Sequence, residues 1–445
     1  MADFLQTNSA KSRLIDLQEL FNALTDSTKY NGAKYLQVLP LSDEIKPFFT
    51  SNSSITSGGN DNDKRETIEF NKILTYDNED QGLTEVIVLK ESIIPTFANS
   101  FKLFKEKYTD DEDNLVIDKK RYLTSLIVLI LTPEDHKFLN IHFEQFELNY
   151  GKDSNFSKSE ITLIISLLTS NLPKTNKSSS LWEVLKRLTI LKFQEFQDSI
   201  ANPQSHIIQF IDTLTSCVFK SCKLHSRNYY GWSFMRFLIN LIKISQFNKD
   251  NNLIKFLNLK FNDQKFEFLN DFSFFDTFSK LLFNDLSDLK FTQMNYLKDS
   301  KLKVSLNNVV QINTNSVFDQ LIDLLETNNN LRLNSFSILF NFSIMLIKLN
   351  ELTYGEEDKR INQYYLNYFR DLQFQISDFK SRYDISEFKL INNELNIIYC
   401  DYTGIKNINE FNNDLNFKNQ LKMIEINLKI LNFYSIYNNN NNNNN

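Results

Sequence analysis

The chain has 445 residues, and its 40 phenylalanines greatly outnumber its eight glycines and six prolines. A shortage of the two main turn-forming residues excludes a chain rich in tight turns or flexible linkers, and it favours helices. The net charge is −6 with acidic and basic residues interleaved, which argues against a surface that binds nucleic acid.

Three further features concern the cellular compartment. Cys217, Cys222 and Cys400 form no disulfide framework and indicate a reducing environment. The N-terminal sequence MADFLQTNSAKSRLIDLQELF lacks the apolar segment of a secretory signal. The most apolar run, Leu126 to Leu131, is far too short to cross a bilayer core of about 30 Å. We therefore expect a cytoplasmic protein.

Two regions precede the first clear helical pattern. Residues 1–35 are predicted to form an N-terminal helical segment, and residues 36–121 form a second N-terminal region. Within the second region, residues 51–66 read SNSSITSGGNDNDKRE, which is polar and contains a Gly-Gly pair. Such a composition predicts a disordered insert.

Residues 122–348 repeat one pattern, an apolar helix, a short polar break and a second helix rich in aromatic residues. The first copy has apolar residues at helical spacing from Leu123 to Ile130, followed by TPEDHKFLNIHFEQFEL. Thr132 suits a helix N-cap, Pro133 suits the first helical position, and Glu134 complements the positive end of the helix dipole. The pattern predicts a helical hairpin.

Similar copies follow along the chain. They are SEITLIISLLTSNLPK with KSSSLWEVLKRLTIL, IIQFIDTLTSCVF with NYYGWSFMRFLINL, SVFDQLIDLLETNNNLRLNSFSILFNFSIMLIKL, and a weaker copy in FDTFSKLLFNDLSDLKFTQMNYLK. Leu139, Trp182 and Trp232 stand at similar places, about 40 to 50 residues apart, which is typical of paired-helix repeats. The predicted fold class is all-α, a solenoid of stacked antiparallel helix hairpins.

The C-terminal part of the chain carries no clear copy of the repeat. Residues 349–437 are predicted to form a further helical region, because INQYYLNYFRDLQFQI and FKNQLKMIEINLKILNFY have helical patterns. Residues 438–445 are all asparagine, which cannot bury apolar surface, so this tail is predicted to be disordered.

The stretch SRNYYGWSFMRF resembles the repeat of protein prenyltransferase alpha subunits, whose second helix begins with Asn-Tyr-x-x-Trp-x-x-Arg. Asn228, Tyr229 and Trp232 match this signature in register. Met235 stands where the arginine is expected, and Arg236 follows one place later. The resemblance implies that the solenoid is a right-handed superhelix.

Other copies match the signature less completely. In the first copy, Pro133 and Asn140 match a variant of the signature, while Leu139 replaces its tryptophan and His142 its arginine. The second copy retains Trp182 without the arginine. The likeness covers roughly residues 36–348, and it is greatest to the family members known as alpha subunit repeat-containing proteins.

The resemblance also implies partners and a reaction. Such an alpha subunit wraps a prenyltransferase beta subunit, here of the Rab geranylgeranyltransferase type, which carries a zinc ion and the isoprenoid pocket. The complex transfers a geranylgeranyl group from its diphosphate to a cysteine of a protein substrate. The chain itself is then expected to hold no cofactor and to be inactive alone. Substrate identity and isoprenoid length stay open.

One lysine is a candidate catalytic residue by this resemblance. In catalytic family members, a lysine five residues before the second-repeat tryptophan points toward the isoprenoid diphosphate, where a cation stabilises leaving-group charge. Counting back from Trp182 gives Lys177. Lys174 is the alternative, because extra residues precede this position, and simple solvation is the ordinary role of a loop lysine.

Two alternatives remain beside these assignments. Cys222, His225 and nearby Cys217 have a loose metal-ligand spacing, but buried cysteines on a helix are the commoner explanation. A non-catalytic helical-repeat scaffold for protein–protein interaction is the alternative function, and the missing arginines and Leu139 favour it. The sequence has no Walker loop, nucleophile elbow or glycine-rich dinucleotide motif.

Overall fold

Most of the chain is helical, as its composition predicts. The computed structural model of the protein describes residues 14–26, 34–49, 72–79, 83–107, 119–149, 154–199, 204–248, 251–310, 313–330, 336–353, 359–391, 394–399, 405–407 and 415–442. The chain divides into two compact units, residues 1–257 with 286–309 and residues 258–285 with 310–445. The repeat region predicted at 122–348 is therefore shared between the two units.

The first unit begins with a mixture of helices and strands. In chain order these are α1 (Leu17–Thr25), β1 (Lys34–Leu39), α2 (Lys46–Phe49), β2 (Ile73–Asn78), β3 (Leu83–Leu89) and α3 (Lys90–Lys107). The sheet has the order β1-β3-β2, with β1 parallel and β2 antiparallel to β3. Leu36 lies opposite Val86, and both are fully buried.

This sheet was not predicted. The centre of β3 is Val86, Ile87 and Val88, and branching at Cβ favours a pleated strand over a helix. The predicted N-terminal helix is present only as α1, and residues 34 and 35 already belong to β1. The insert predicted at 51–66 lies outside the described residues.

Helices follow along the chain after α3. They are α4 (Lys119–Leu131), α5 (His136–Asn149), α6 (Ser154–Leu168), α7 (Pro173–Asn176), α8 (Ser179–Asp198), α9 (Gln204–Leu224), α10 (Tyr229–Ile244), α11 (Asn252–Gln264), α12 (Phe272–Leu282) and α13 (Leu286–Tyr296). The helices α4 to α10 belong to the first unit, and α11 crosses from the first unit into the second. α4 packs on α5, α6 on α8 and α9 on α10, so the first three predicted hairpins are present. The weaker copy is divided, because α12 falls in the second unit and α13 in the first.

The second unit contains the fourth predicted hairpin and a second sheet. Its later elements are α14 (Thr314–Asn330), α15 (Phe336–Leu352), α16 (Lys359–Arg382), β4 (Ile385–Ile391), β5 (Glu394–Tyr399), β6 (Ile405–Asn407) and α17 (Leu415–Asn442). α14 packs on α15, and the sheet is antiparallel in the order β4-β5-β6. Phe379, Leu395, Ile397 and Leu421 form the centre of a core shared by α16, the sheet and α17.

Two predictions for the C-terminal part need correction. Residues 349–437 are not purely helical, because alternating side chains such as those of Phe388 and Leu390 form strands with one face on the core. α17 continues to Asn442, so the asparagine tail begins as helix where disorder was predicted. Residues 443–445 lie outside the described residues. In the part of the chain that the structure describes, no helix has the length and apolar content to span a membrane.

Candidate functional site at the turns of three hairpins

The turns of the first three hairpins lie against one another. We call this surface the turn edge and define it as residues 132–135, 169–178 and 225–228. Thr175 of the second turn donates a hydrogen bond from Oγ1 to the carbonyl of Ile130, at the end of α4, at 3.1 Å. Lys177 donates from Nζ to the carbonyl of Ser226, in the third turn, at 3.0 Å. Each turn is thus tied to the next.

A carboxylate of the first turn caps a helix of the second hairpin. Glu134 Oε2 accepts hydrogen bonds from Ser179 Oγ at 2.9 Å and Ser180 Oγ at 3.0 Å, at the N-terminus of α8. Partial burial by itself would raise the pKa of Glu134, but hydrogen bonds from Ser178, Ser179 and Ser180 prevail and lower this pKa below its ordinary value. The positive end of the α8 dipole favours the same charge.

Two buried asparagines join the second and third turns. Asn228 donates from Nδ2 to Asn176 Oδ1 at 2.9 Å and to Ser221 Oγ at 2.8 Å. Its Oδ1 accepts from the backbone N–H of Gly231 at 3.2 Å, which makes Asn228 the N-cap of α10. The carbonyl of Asn176 accepts from Trp182 Nε1 at 3.0 Å. The predicted motif residues Asn228 and Trp182 therefore meet at one polar junction inside the protein.

The other motif residues have contrasting environments. Trp232 is completely buried, and its ring packs edge-on against Phe219. The Tyr229 side chain is 62% exposed, although it stands only three positions before Trp232 on the same helix. The Arg236 guanidinium lies 5.5 Å from the Tyr229 ring centre, so these two form a surface cation–π pair. Asn140 is exposed on α5.

The close packing around Gly231 explains why a glycine stands within NYYGW. A Cβ atom at this position would lie 3.1 Å from Cys222 Sγ and 3.3 Å from the Trp182 ring. These distances are shorter than ordinary van der Waals contact, so a larger residue would push α9 or α8 away. The glycine therefore lets three helices approach closely beside the asparagine junction.

A groove of about 630 Å³ opens at the turn edge. Its lining includes Pro133, Glu134 and Asp135 from the first turn, Pro173, Lys174 and Lys177 from the second, and Tyr230 from α10. Lys174 has no hydrogen-bond or ion-pair partner among the described residues and is exposed. Lys174 and Lys177, the two candidates for the catalytic lysine, thus both lie in this groove.

The turn edge carries three basic side chains, Lys174, Lys177 and Arg227, and two acidic ones, Glu134 and Asp135. Glu134 accepts hydrogen bonds from serines, and Asp135 Oδ1 accepts the backbone N–H of Lys137 at 3.1 Å. Lys177 contacts a carbonyl, so none of these three contacts neutralises a charge. Partial burial lowers the pKa of His225, and the positive charge of Lys177 lowers it further.

A buried polar cluster that the sequence did not predict lies between α4, α5 and α6. His142 is within hydrogen-bond distance of Ser125 Oγ through Nδ1, at 2.7 Å, and of Glu160 Oε1 through Nε2, at 3.0 Å. Tyr122 donates its hydroxyl hydrogen to Glu160 Oε2 and stacks on the His142 ring. Glu160 could have been noticed as an acidic residue that directly precedes an apolar helical stripe.

Ser125, His142 and Glu160 are connected in the order of a hydrolase catalytic triad, a serine, a base and an acid. Their burial nevertheless prevents catalysis by such a mechanism. Ser125 and Glu160 are 0% exposed and His142 is 1% exposed, so a substrate cannot reach the hydroxyl. Burial raises the pKa of Tyr122 well above its ordinary value, and the adjacent Glu160 carboxylate adds to this effect. The cluster therefore acts as a polar tie between three helices.

The cysteines provide no metal centre in the described part of the chain. No group of three or more histidine, cysteine or acidic side chains is placed there to hold an ion. Cys217 and Cys222 form no disulfide and are buried, and burial raises the pKa of Cys217 to about 12. Cys222 instead packs beside Gly231, within the asparagine junction.

Two segments of the chain match domains of a known protein family. Residues 10–169 match the ECM9 N-terminal domain, and residues 181–306 match the ECM9 middle domain. Together the two segments make up more than half of the chain. The chain belongs to the ECM9 family. The three hairpins of the turn edge span the end of the first ECM9 domain and the start of the second.

A curated relative supports the ECM9 assignment. Protein ECM9 of Saccharomyces cerevisiae is 26% identical over 167 residues, which are 36% of this chain and 41% of the yeast protein. The chain thus matches less than half the length of this relative.

The ECM9 assignment corrects the resemblance drawn from the repeat motif. The prediction of a protein prenyltransferase alpha subunit, or of an alpha subunit repeat-containing protein, is wrong, because the matching family is ECM9. The predicted prenyltransferase beta subunit, geranylgeranyl diphosphate and prenylated substrates are wrong for the same reason. Asn228, Tyr229 and Trp232 match a short signature whose residues serve helix capping and packing, which unrelated helical proteins also need. Lys177 was chosen as a catalytic residue for prenyl transfer, so this correction removes the basis for that choice.

Proposed function

We propose that this ECM9 chain is a scaffold of stacked helix hairpins that binds an acidic, extended segment of a partner protein along the turn edge. The observation that carries the proposal is the exposed Lys174, which has no ion-pair partner among the described residues and lines the groove together with Pro173 and Tyr230. The groove thus offers apolar contacts and an ammonium group that a carboxylate can reach.

The polar ties between turns support a rigid stack. Glu134 contacts Ser179 and Ser180, 45 and 46 positions later, and Lys177 contacts Ser226, 49 positions later. Ties at such regular intervals hold one hairpin on the next in a fixed register. A binding surface on a rigid edge needs little ordering when a partner docks.

The chemistry of the groove supports an acidic, extended partner. Pro173 and Tyr230 are exposed and present rigid apolar surfaces of the kind on which an extended chain can lie. Lys174 and Lys177 then offer ammonium groups to carboxylates of that chain. The protein as a whole has a net charge of −6, whereas the turn edge has one more basic than acidic side chain, so this edge attracts acidic segments.

A displayed library of random peptides tests the proposal. We expect selection on the full chain to enrich sequences with several Asp or Glu residues. A selected peptide, prepared by synthesis, should bind the full chain in calorimetry. Its binding should weaken as the sodium chloride concentration is raised, because salt screens exposed charges. Lys174→Glu should weaken binding at least about ten-fold, since it converts attraction into repulsion in the groove.

The matched control is Lys158→Glu. Lys158 is an exposed lysine near the start of α6, whereas the groove lies beyond the end of this helix. This variant has the same change in net charge and should bind the selected peptide as the parent chain does. Equal loss in both variants, or a library without acidic enrichment, would rule out groove recognition.

A further inference from the structure

The second unit contains a cavity of about 440 Å³ where α14, α15, α16 and α17 meet. Its apolar side includes Leu339 and Leu372, which are both 7% exposed, together with Met423. Its polar side comes from α16 and from Asn427 of α17. A volume of this size is within the range of pockets that hold small organic molecules.

The polar side of the cavity is braced by its own hydrogen bonds. Asn427 is 2% exposed and donates from Nδ2 to Gln375 Oε1 at 2.9 Å. The Tyr368 hydroxyl lies 3.0 Å from Ser343 Oγ, and Ser343 is 1% exposed. These contacts fix the lining side chains before any ligand binds, so the cavity is preorganised.

One charged group lines this cavity, the carboxylate of Asp371. Asp371 is exposed and has no ion-pair partner among the described residues. Arg370 precedes it on α16, and the residues one helical turn away, Asn367, Tyr368, Phe374 and Gln375, are uncharged. Burial raises the pKa of the Tyr364 hydroxyl, and the negative charges of Glu326 and Asp371 raise this pKa further. A carboxylate without an ion-pair partner therefore lines the cavity together with two aromatic rings.

We propose that this cavity is a binding site for a small organic cation, an ammonium group on an apolar body. The Asp371 carboxylate would neutralise the charge, and Tyr364 and Tyr368 provide the electron-rich rings that bind ammonium groups. Leu339, Leu372 and Met423 would contact the apolar body. The Tyr368 hydroxyl is neutral at physiological pH, as burial raises its pKa from an already high value of 10 to about 12, so Asp371 is the charge that selects the ligand.

The probe for a direct test is benzyltrimethylammonium, a cation with an aromatic body. Titrated into the full chain, it should bind in the micromolar to millimolar range by ligand-observed NMR. Benzenesulfonate, an anion of similar size, should bind at least about ten-fold more weakly, because a unit charge of the wrong sign faces Asp371. Equal binding of the two probes, or no binding of the cation at millimolar concentration, would overturn the proposal.

Two variants separate recognition from folding. Asp371→Asn keeps the size of the side chain and should weaken binding of the cation about ten-fold, with an unchanged melting temperature. Asp378→Asn is the matched control, because Asp378 lies on the same helix and pairs with Arg382 at 2.7 Å. The control should bind as the parent does. Unchanged binding by Asp371→Asn would contradict the assignment even if the cation binds.

Discussion

Asn176 and Asn228 lie 52 positions apart in two successive hairpin turns, and a hydrogen bond of 2.9 Å joins their buried amide groups. Each asparagine also serves its own hairpin. Asn228 caps α10, and Asn176 donates from Nδ2 to the carbonyl of Leu168, at the end of α6, at 2.7 Å. One pair of side chains thus combines helix capping with the register of two hairpins.

Replacing Asn228 tests this double role. Asn228→Ala removes the cap and leaves Asn176 Oδ1 buried without this donor, so we expect a loss of about 2 to 4 kcal/mol in the free energy of unfolding. Asn228→Ser retains a capping oxygen and should lose roughly half as much. Both tryptophans of the chain, Trp182 and Trp232, belong to the first unit, so their fluorescence in urea reports its unfolding. Equal losses for Ser and Ala would mean that the cap contributes nothing.

Gly231→Ala is a second test of the junction. In most helices this exchange stabilises by up to about 1 kcal/mol, because alanine is the better helix former. Here the added Cβ would meet Cys222 Sγ at 3.1 Å, so we expect a net loss of about 1 to 3 kcal/mol. Urea unfolding followed by tryptophan fluorescence measures the change.

The control is the double variant Gly231→Ala with Cys222→Ala. Removal of Sγ makes room for the new methyl group, so the two changes should be strongly coupled and the double variant less unstable than the sum of its parts. Ser233→Ala, in the same helical turn, should not destabilise. Additive losses would place the strain of Gly231→Ala elsewhere than at Cys222.

The sequence predicted the hairpins well and the junctions poorly. Apolar residues such as those from Leu123 to Ile130 repeat at helical spacing, and that local pattern is sufficient for α4 and its neighbours. The partners of Asn176, Glu134 and Glu160 lie on other hairpins, and spacing along one helix contains no information about them. The asparagine and tryptophan of NYYGW were noticed, but their capping and packing roles were mistaken for a family signature.

The strands were missed for a different reason. β2 and β3 are short, and in a short apolar run such as Val86 to Leu89 the periodicity alone does not distinguish a buried strand from a buried helix. Pairing with β1, which precedes β3 by about 50 positions, decides between them. The cavity in the second unit could not be predicted either, because Asp371, Leu339 and Asn427 come from three helices separated in sequence.

The hydrogen bonds that Glu134 accepts at the N-terminus of α8 predict how the stability of the protein responds to acid pH. The pKa of Glu134 is lowered in the folded chain from an ordinary value of 4.5, so its stabilising contribution is present above that value and is lost as the pH falls through the folded pKa. As the pH is lowered from 5, the free energy of unfolding of the wild type should therefore fall faster than that of Glu134→Gln. At pH 7 the variant should be the less stable protein, since its amide binds the α8 serines without charge.

The comparison for Glu134 is Glu144→Gln. Glu144 is exposed on α5 and is not part of the turn edge, so its replacement should leave the acid profile of the wild type unchanged. Urea midpoints at several pH values provide the measurement. Parallel profiles for wild type and Glu134→Gln would show that the carboxylate does not act through its charge.

Lys220 predicts a second pH dependence of stability, at alkaline pH. Its Nζ lies 4.8 Å from the centre of the Tyr35 ring and 3.5 Å from the carbonyl of Lys34, in a largely buried position on α9. Burial lowers the pKa of Lys220 from 10.5 to about 8, although the negative charge of Glu85 and a thiolate at Cys217 would act in the other direction. The folded chain therefore opposes the ammonium form of Lys220.

The sign of the pH effect follows from proton binding. Between about pH 8 and 10.5 the unfolded chain binds more protons at this lysine than the folded chain, so the wild type gains stability as the pH rises through that window. Lys220→Met has no charge to desolvate and lacks this gain. Measured against Lys220→Met, the wild type should gain on the order of 2 kcal/mol from pH 7.5 to pH 10. Lys158→Met, at an exposed lysine, is the control, and its stability should depend on pH as that of the wild type does. If the stability of Lys220→Met showed the same pH dependence as the wild type, the Lys220 ammonium would have to be well solvated in the folded chain.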